Sequence, residues 1–252
     1  MRSDTNGTDR VRALLVLIAT LGTIVFNALA ATGHVNGITP EMVSAKYPTV
    51  VTPAGYAFSI WSLIYVGLLA FSVYQLLPAQ AARLRSFRTI YILSCVLNCA
   101  WLYCWHHEAM AASVVVIAAL WAALLMLNIK GRDCRDQIER YALKAPFGLY
   151  FGWVTAAALI NFAVLLVYLD VKLLPDAVFG SIVVLAAAAI AIVIRIKLRN
   201  FFFPLAVAWA LTAIAVKQGG HPYIISAAAL GVIICLVTSL SFIVNYDGRT
   251  GE

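Results

Sequence analysis

The amino-acid sequence predicts an all-α integral membrane protein, built as a bundle of about eight transmembrane helices. Of its 252 residues, 63% are hydrophobic and only 12% are charged, whereas about 25% of the residues in a soluble domain are charged. The charges are clustered, and the apolar runs between them are about 20 residues long, which is the length that a helix needs to cross a hydrocarbon core of about 30 Å. The runs do not alternate in polarity as barrel strands do. A helix also satisfies its own backbone amides in lipid.

Eight apolar segments follow one another along the chain, and each is predicted to form one helix. The first segment follows two arginines and ends in Ala28-Leu29-Ala30, a pattern that also fits a cleavable signal peptide. We interpret it as a retained span. The predicted spans are 12–32, 53–77, 87–105, 109–129, 146–169, 176–196, 201–217 and 222–244.

The basic residues predict the orientation of these spans. Fifteen of the 18 Lys and Arg residues fall at the termini or in alternate connections, and only Lys46, Lys172 and Lys217 fall in the others. Cytoplasmic loops are enriched in Lys and Arg, so we expect both termini in the cytoplasm and residues 33–52 outside. The fifteen are Arg2, Arg10, Arg12, Arg83, Arg85, Arg88, Lys130, Arg132, Arg135, Arg140, Lys144, Arg195, Lys197, Arg199 and Arg249.

The same charge pattern accounts for the net charge of +7. Basic residues that flank spans face lipid headgroups and water, so we expect membrane lipids as partners and no nucleic acid. We predict a multi-pass protein of a bacterial inner (plasma) membrane.

Polar side chains within the spans fall at one depth. Asn27 lies seven residues below His34, Asn98 lies eight below His106, and Asn161 lies nine below Asp170. Trp61 lies eight residues into the second span, counted from Pro53. At 1.5 Å per residue, all four lie roughly 10–14 Å below the outer edge. Such groups usually face the interior of a bundle. They therefore predict a polar layer in its outer half.

Aromatic residues repeat on the same helical faces as these polar groups. Stripes of this kind can line an aromatic cavity with a few amide donors, which is the usual composition of a small-molecule site. They fit equally well with packing between helices, in which Asn supplies interhelical hydrogen bonds. Spacing alone leaves both alternatives open. The stripes are Phe58, Trp61 and Tyr65; Asn98, Trp101 and Trp105; and Tyr150, Trp153, Ala157 and Asn161.

Three motifs resemble those of the TspO/MBR family, the tryptophan-rich sensory and translocator proteins. TPAGYAFSIWSLIY, residues 52–65, resembles the second helix of that family, and LNCAW, residues 97–101, resembles its third-helix LNxxW. YFGWVTAAALIN, residues 150–161, resembles its fifth-helix motif, in which Trp and Asn are eight residues apart. The matches lie in order on predicted spans two, three and five, and together cover roughly residues 11–168.

The resemblance implies a five-helix TspO-like core over residues 11–170, with three additional transmembrane helices over 171–246 packed on it. Family members use their first helix in the bundle, which is why we expect the first span to be retained. The resemblance also implies a ligand pocket that opens towards the loop between helices one and two. The implied ligand is a tetrapyrrole such as a porphyrin, a lipid or another apolar small molecule, and we expect no other cofactor.

Carried over position by position, the pocket would be lined by residues of three spans. We therefore predict a membrane ligand-binding or sensory protein of this type, and transport of its ligand stays open. We assign no catalytic residue and no metal ligand. The predicted ligand-binding residues are Phe58, Trp61, Tyr65, Asn98, Trp101, Tyr150, Trp153, Ala157 and Asn161.

Two other functions stay open at this stage. Eight spans are enough for a secondary transporter of a small solute, although no acidic residue lies in mid-membrane to carry a coupling proton. A membrane enzyme could use the four histidines, which all fall on the predicted outer side: His34, His106, His107 and His221. Gly148 and Gly152 form a GxxxG motif that is compatible with a homodimer.

Overall fold

The computed structural model describes residues 7–80, 83–133 and 136–246, with the backbone alone for 241–246. The described residues form helices and turns and contain no strand. Eight long helices occupy the eight predicted segments, so the predicted all-α class is confirmed. Of the basic residues and cysteines in the sequence, Arg2, Arg135, Arg249 and Cys134 lie outside the described residues. The helices are α1 Gly7–Ala31, α2 Pro40–Lys46, α3 Ile60–Tyr74, α4 Arg85–His106, α5 Met110–Lys130, α6 Gln137–Glu139, α7 Ala145–Tyr168, α8 Asp176–Leu198, α9 Phe202–Lys217 and α10 Pro222–Tyr246.

Within the described residues, seven helical segments are long and apolar enough to cross a membrane, so the chain is a multi-pass membrane protein. The remaining long helix, α9, has 16 residues. At 1.5 Å per residue it is about 24 Å long, which is shorter than a hydrocarbon core of about 30 Å. It is also buried around most of its circumference. A helix in that position faces mostly protein, so its length need not match the bilayer.

The second long helix starts later than the sequence predicts. The predicted span begins at Pro53, but residues 53–54 are extended, Gly55–Ser59 form a 3-10 turn, and α3 begins at Ile60. Pro53 has no backbone N–H to donate, and the N–H of Ala54 donates to the carbonyl of Ala213 on α9 at 2.9 Å. The backbone of this segment is therefore satisfied by another helix. The predicted outer loop 33–52 also contains a short helix, α2.

A π-helical turn over Arg140–Lys144 joins α6 to α7, so the helix runs without a break from residue 137 to 168. The turn lies directly before Pro146, which removes one helical hydrogen bond and crowds the preceding turn. Pro146 packs against α3 at Gly67, where an added Cβ would lie 2.8 Å from the proline Cβ. Glycine is therefore needed at position 67 for this close approach.

The chain divides into two compact units, each described separately below. Unit 1 comprises the described parts of Met1–Val43 and Trp61–Phe147, and unit 2 comprises Ser44–Ile60 and the described part of Gly148–Glu252. Compactness alone defines these units, and it is independent of which helices form the TspO-like core. A five-helix core over 11–170 with three added helices over 171–246 therefore stays a prediction.

In unit 1, α1 packs against α4, and α4 packs against α5. Its core contains an aromatic cluster in which ring centroids lie 4.9–5.7 Å apart, mostly edge to face. Edge-to-face contact is the favoured geometry for aromatic rings. Charged residues pair at one end of this unit: Asp9 accepts from Arg85, and the carboxylate of Glu139 accepts from Arg83 at 2.5 Å. The cluster consists of Phe71, Phe87, Tyr91 and Phe147.

In unit 2, α8, α9 and α10 all pack on one another. Small residues allow the close approach: Ala187 and Ala188 on α8 are buried, and Gly231 on α10 faces Leu211 of α9. Gly152 on α7 faces the carbonyl oxygen of Phe203.

The glycines of the GxxxG motif, Gly148 and Gly152, thus face parts of their own chain. A Cβ at position 148 would collide with the amide of Asn200, and one at position 152 would collide with the start of α9. The motif serves packing within unit 2, and the homodimer stays a prediction.

Candidate functional site

In unit 1, four aromatic side chains from α3 and α4 form a continuous row. Trp61 stacks on Tyr65 with ring centroids 5.4 Å apart and planes 14° from parallel. Trp101 lies 6.2 Å from Trp61 and 6.5 Å from Trp105. We refer to Tyr65, Trp61, Trp101 and Trp105 as the aromatic row. It brings together residues of two of the predicted stripes, because i, i+3 and i, i+4 positions of a helix share a face.

A buried amide pair lies in the same unit. Asn27 on α1 donates from Nδ2 to Oδ1 of Asn98 on α4 at 2.8 Å, and also to the carbonyl of Thr23 at 2.9 Å. Asn98 is fully buried, and within the described residues its Nδ2 has no acceptor. The hydroxyl of Tyr65, in the aromatic row, is enclosed and likewise has no partner there. An unsatisfied buried donor costs about 1–3 kcal/mol, so these two groups are suited to a partner that carries an acceptor.

A polar stripe along α1 supports Asn27. Thr20, Thr23 and Asn27 are spaced i, i+3, i+7 and are all buried. The hydroxyl of Thr20 contacts that of Ser72 on α3 at 2.5 Å and that of Tyr91 on α4 at 2.7 Å. The sequence analysis singled out only Asn27 on this helix. The spacing of the two threonines is the signal that identifies the remaining members, because polar groups in a span usually face the bundle interior.

In unit 2, the structure brings together Phe58 and Trp153. Their ring centroids are 6.1 Å apart and their planes are 80° apart, which is an edge-to-face contact. Trp153 on α7 is buried, as are Tyr150 and Asn161 on the same helix. Ala157, which completes that stripe, is half-buried.

The nine predicted site residues therefore fall into two groups. Trp61, Tyr65, Asn98 and Trp101 belong to unit 1, and the other five belong to unit 2. In unit 1, the contact between Trp61 and Tyr65 follows one predicted stripe, and that between Trp61 and Trp101 joins two stripes. In unit 2, the contact between Phe58 and Trp153 also joins two stripes. That all nine line one cavity stays a prediction.

Residues 49–58 carry Phe58 and are attached to α9. Gln218, at the end of α9, donates from Nε2 to the carbonyls of Thr49 and Thr52, both at 3.1 Å. Trp209 donates from Nε1 to the carbonyl of Ala57 at 3.0 Å. The sequence analysis missed both side chains, because it assigned α9 no part in the site. The sequence feature that could have identified them is a side-chain donor within a mostly apolar helix, Trp209, and a second one directly after it, Gln218.

The histidines do not form a shared site in the part of the chain that the structure describes. Nδ1 of His106 lies 2.7 Å from the carbonyl of Leu102, and Nδ1 of His107 lies 2.9 Å from that of Tyr103. Nδ1 of His34 contacts the hydroxyl of Thr32. No group of three or more His, Cys, Asp or Glu residues that could hold a metal ion occurs among the described residues. The outer-face enzyme alternative therefore gains no support.

Comparison with known proteins gave one result that bears on this site. A family model described as TSPO-like protein matches residues 13–242. The match includes the last three helices, which the sequence analysis placed outside the five-helix core. Comparison with curated proteins and with solved structures gave no match.

Proposed function

The chain belongs to the family of TSPO-like proteins, and from this premise we propose that it binds a flat or extended apolar molecule, of the tetrapyrrole or lipid class, within the membrane. We propose two separate candidate contacts for such a ligand: the aromatic row of unit 1 and the Phe58–Trp153 pair of unit 2. Sensing or transport of this ligand would follow from binding. The proposal places the protein in a bacterial inner membrane with both termini in the cytoplasm.

The observation that carries the proposal is the buried amide of Asn98 beside a helix face rich in aromatic rings. Asn98 and Trp101 are spaced i, i+3 on α4, so they share one face of that helix. Aromatic rings supply apolar contact area, and a single amide donor can fix the orientation of a ligand. Tyr65 adds a hydroxyl on the α3 side of the row. This combination favours a ligand with a largely apolar body and at least one carbonyl or carboxylate oxygen.

Tryptophan fluorescence tests this directly. Full-length protein in lipid nanodiscs is titrated with protoporphyrin IX, and we expect saturable quenching, because a porphyrin next to Trp61 and Trp101 accepts their excitation energy. Trp61→Phe or Trp101→Phe should reduce the quenched fraction. Trp121→Phe is the matched control, since Trp121 lies on α5 and outside the aromatic row. If neither protoporphyrin IX nor a sterol changes the fluorescence of wild-type protein, the proposal is wrong.

A further inference from the structure

We propose that α9 is the positioning element of the unit 2 contact: Trp209 and Gln218 hold residues 49–58 in place, so that Phe58 stays against Trp153. The attachment of residues 49–58 stands by itself, and its effect on ligand affinity rests on the proposed function. Neither Trp209 nor Gln218 lies on a predicted site stripe. Both act through the backbone of this segment, which we call the α9-held segment.

The α9-held segment is bonded to the end of α9. This helix has 16 residues and ends at Lys217. The side chain of Gln218 follows its last residue and bonds to Thr49 and Thr52. One amide group thus donates to two carbonyls outside any helix; that of Thr49 also accepts from the N–H of Thr52 at 3.1 Å.

Two further hydrogen bonds extend the attachment along the segment. The N–H of Ala54 donates to Ala213, and the carbonyl of Ala57 accepts from Trp209. Together with Gln218, these bonds reach the backbone at positions 49, 52, 54 and 57. Buried backbone groups need such partners. Because the bonds go to main-chain atoms, α9 fixes the path of the segment and not only one of its side chains.

Apolar packing covers the same segment. Val51 and Ala57 are fully buried, and the ring of Tyr56 meets that of Trp209 edge to face at 5.3 Å. A Cβ at Gly180 on α8 would lie 3.0 Å from the side chain of Val50. The segment is therefore part of the packed core of unit 2.

Both partners of the Phe58–Trp153 pair rest on α9. Phe58 directly follows Ala57, whose carbonyl is bonded to Trp209. Trp153 directly follows Gly152, which packs against the carbonyl of Phe203 and the Cβ of Ala206 at the start of α9. A single helix thus sets the distance between the two rings. Through this arrangement α9 contributes to the unit 2 contact, although it carries no predicted site residue.

Hydrogen–deuterium exchange of the full-length protein tests the attachment without any ligand. Trp209→Phe keeps a ring against Tyr56 and removes the indole donor, and Gln218→Met removes both amide bonds. A lost hydrogen bond has a net value of about 0.5–1.5 kcal/mol. We therefore expect exchange in a peptide covering residues 49–58 to be about twofold to tenfold faster. A peptide within α5 should exchange as in wild type, which excludes global loosening.

Trp105→Phe is the matched control. In unit 1, Trp105 donates from Nε1 to the carbonyl of Pro40 at 3.2 Å, which is the same kind of indole-to-backbone bond. This variant should leave exchange at residues 49–58 unchanged. If Trp209→Phe fails to fold, Gln218→Met decides the result alone. Unchanged exchange at 49–58 in each folded variant would overturn the proposal, whether or not a porphyrin binds.

The affinity for protoporphyrin IX then tests the positioning role. Faster local exchange with an affinity reduced at least twofold, and an unchanged melting temperature, supports it. Faster exchange with unchanged affinity shows that α9 holds the segment but that the segment does not position the Phe58–Trp153 pair for a ligand. This result overturns the positioning role. Faster exchange in a protein whose wild type binds no porphyrin and no sterol supports the attachment and overturns the proposed function alone.

Discussion

The two compact units hold their aromatic residues in different ways. In unit 1, the aromatic row stands on two regular helices, and the contacts run between side chains that share a helix face or belong to neighbouring helices. In unit 2, Phe58 belongs to a 3-10 turn whose backbone is bonded to α9, about 150 residues further along the chain. The first arrangement depends on helical periodicity, and the second depends on a long-range backbone attachment.

This difference has a consequence for mutation. Changes in the side chains of unit 1 should act locally, because α3 and α4 satisfy their own backbone hydrogen bonds. Changes on α9 should act at a distance, because α9 supplies the bonds that the α9-held segment lacks.

The largest effect is expected at Gly152, where unit 2 is most tightly packed. In Gly152→Ala, the new Cβ would collide with the carbonyl oxygen of Phe203, a main-chain atom that cannot rotate away. Overpacking of this kind costs about 1–3 kcal/mol, occasionally more. We expect a clear fall in the melting temperature and loss of protection from exchange in the α9-held segment. Gly22→Ala on α1 is the control, since an added Cβ there meets nothing within 4 Å. If Gly152→Ala and Gly22→Ala melt at the same temperature, the role of α9 is contradicted.

An intermediate effect is expected for the amide pair of unit 1. Asn27→Leu leaves Oδ1 of Asn98 buried without its donor, which should lower the free energy of unfolding by about 1–3 kcal/mol. Replacing both residues by Leu removes both partners and should recover much of that loss. Thermal unfolding of the two single variants and the double variant measures the coupling. Strictly additive losses would show that the pair does not act as a unit.

The smallest effect is expected at Tyr56, which is 43% exposed. Tyr56→Leu removes the edge-to-face contact with Trp209 but leaves the bond from Trp209 to Ala57 in place. An aromatic pair contributes about 0.5–1.5 kcal/mol beyond its area, so the melting temperature should fall slightly and exchange at Ala54 should hardly change. If this variant speeds exchange as much as Trp209→Phe does, packing and not hydrogen bonding holds the segment.

The same contrast explains what the sequence could predict. The apolar runs and the positions of the charges predicted eight helices in the right places. The spacing of Trp61 and Tyr65, and of Trp101 and Trp105, predicted the faces on which the aromatic row now lies. Regular helices repeat with a fixed period, so residues on one face can be identified from spacing alone.

The features of unit 2 could not be predicted in this way. An apolar run has the same appearance whether it faces lipid or protein, so the burial of α9 was not visible in residues 202–217. The late start of α3 at Ile60 depends on the bond between Ala54 and Ala213, which joins residues far apart in sequence. The role of Trp209 depends on a second long-range bond, to the carbonyl of Ala57. Long-range pairing of this kind leaves no periodic signal.

The measurement that tests the account most directly is the affinity for protoporphyrin IX of Asn98→Ala, compared with its thermal stability. Loss of one neutral hydrogen bond should weaken binding about twofold to tenfold. The melting temperature should fall as well, because the variant also removes the acceptor of the Asn27 amide, so the affinity decides the result. Asn128→Ala is the matched control: Asn128 is a buried amide of the same unit that bonds to the carbonyls of Leu124 and Phe147. It should lower the melting temperature and leave the affinity unchanged. If Asn98→Ala instead behaves like Asn128→Ala, with lower stability and wild-type affinity, the amide serves packing and the proposed ligand site is wrong.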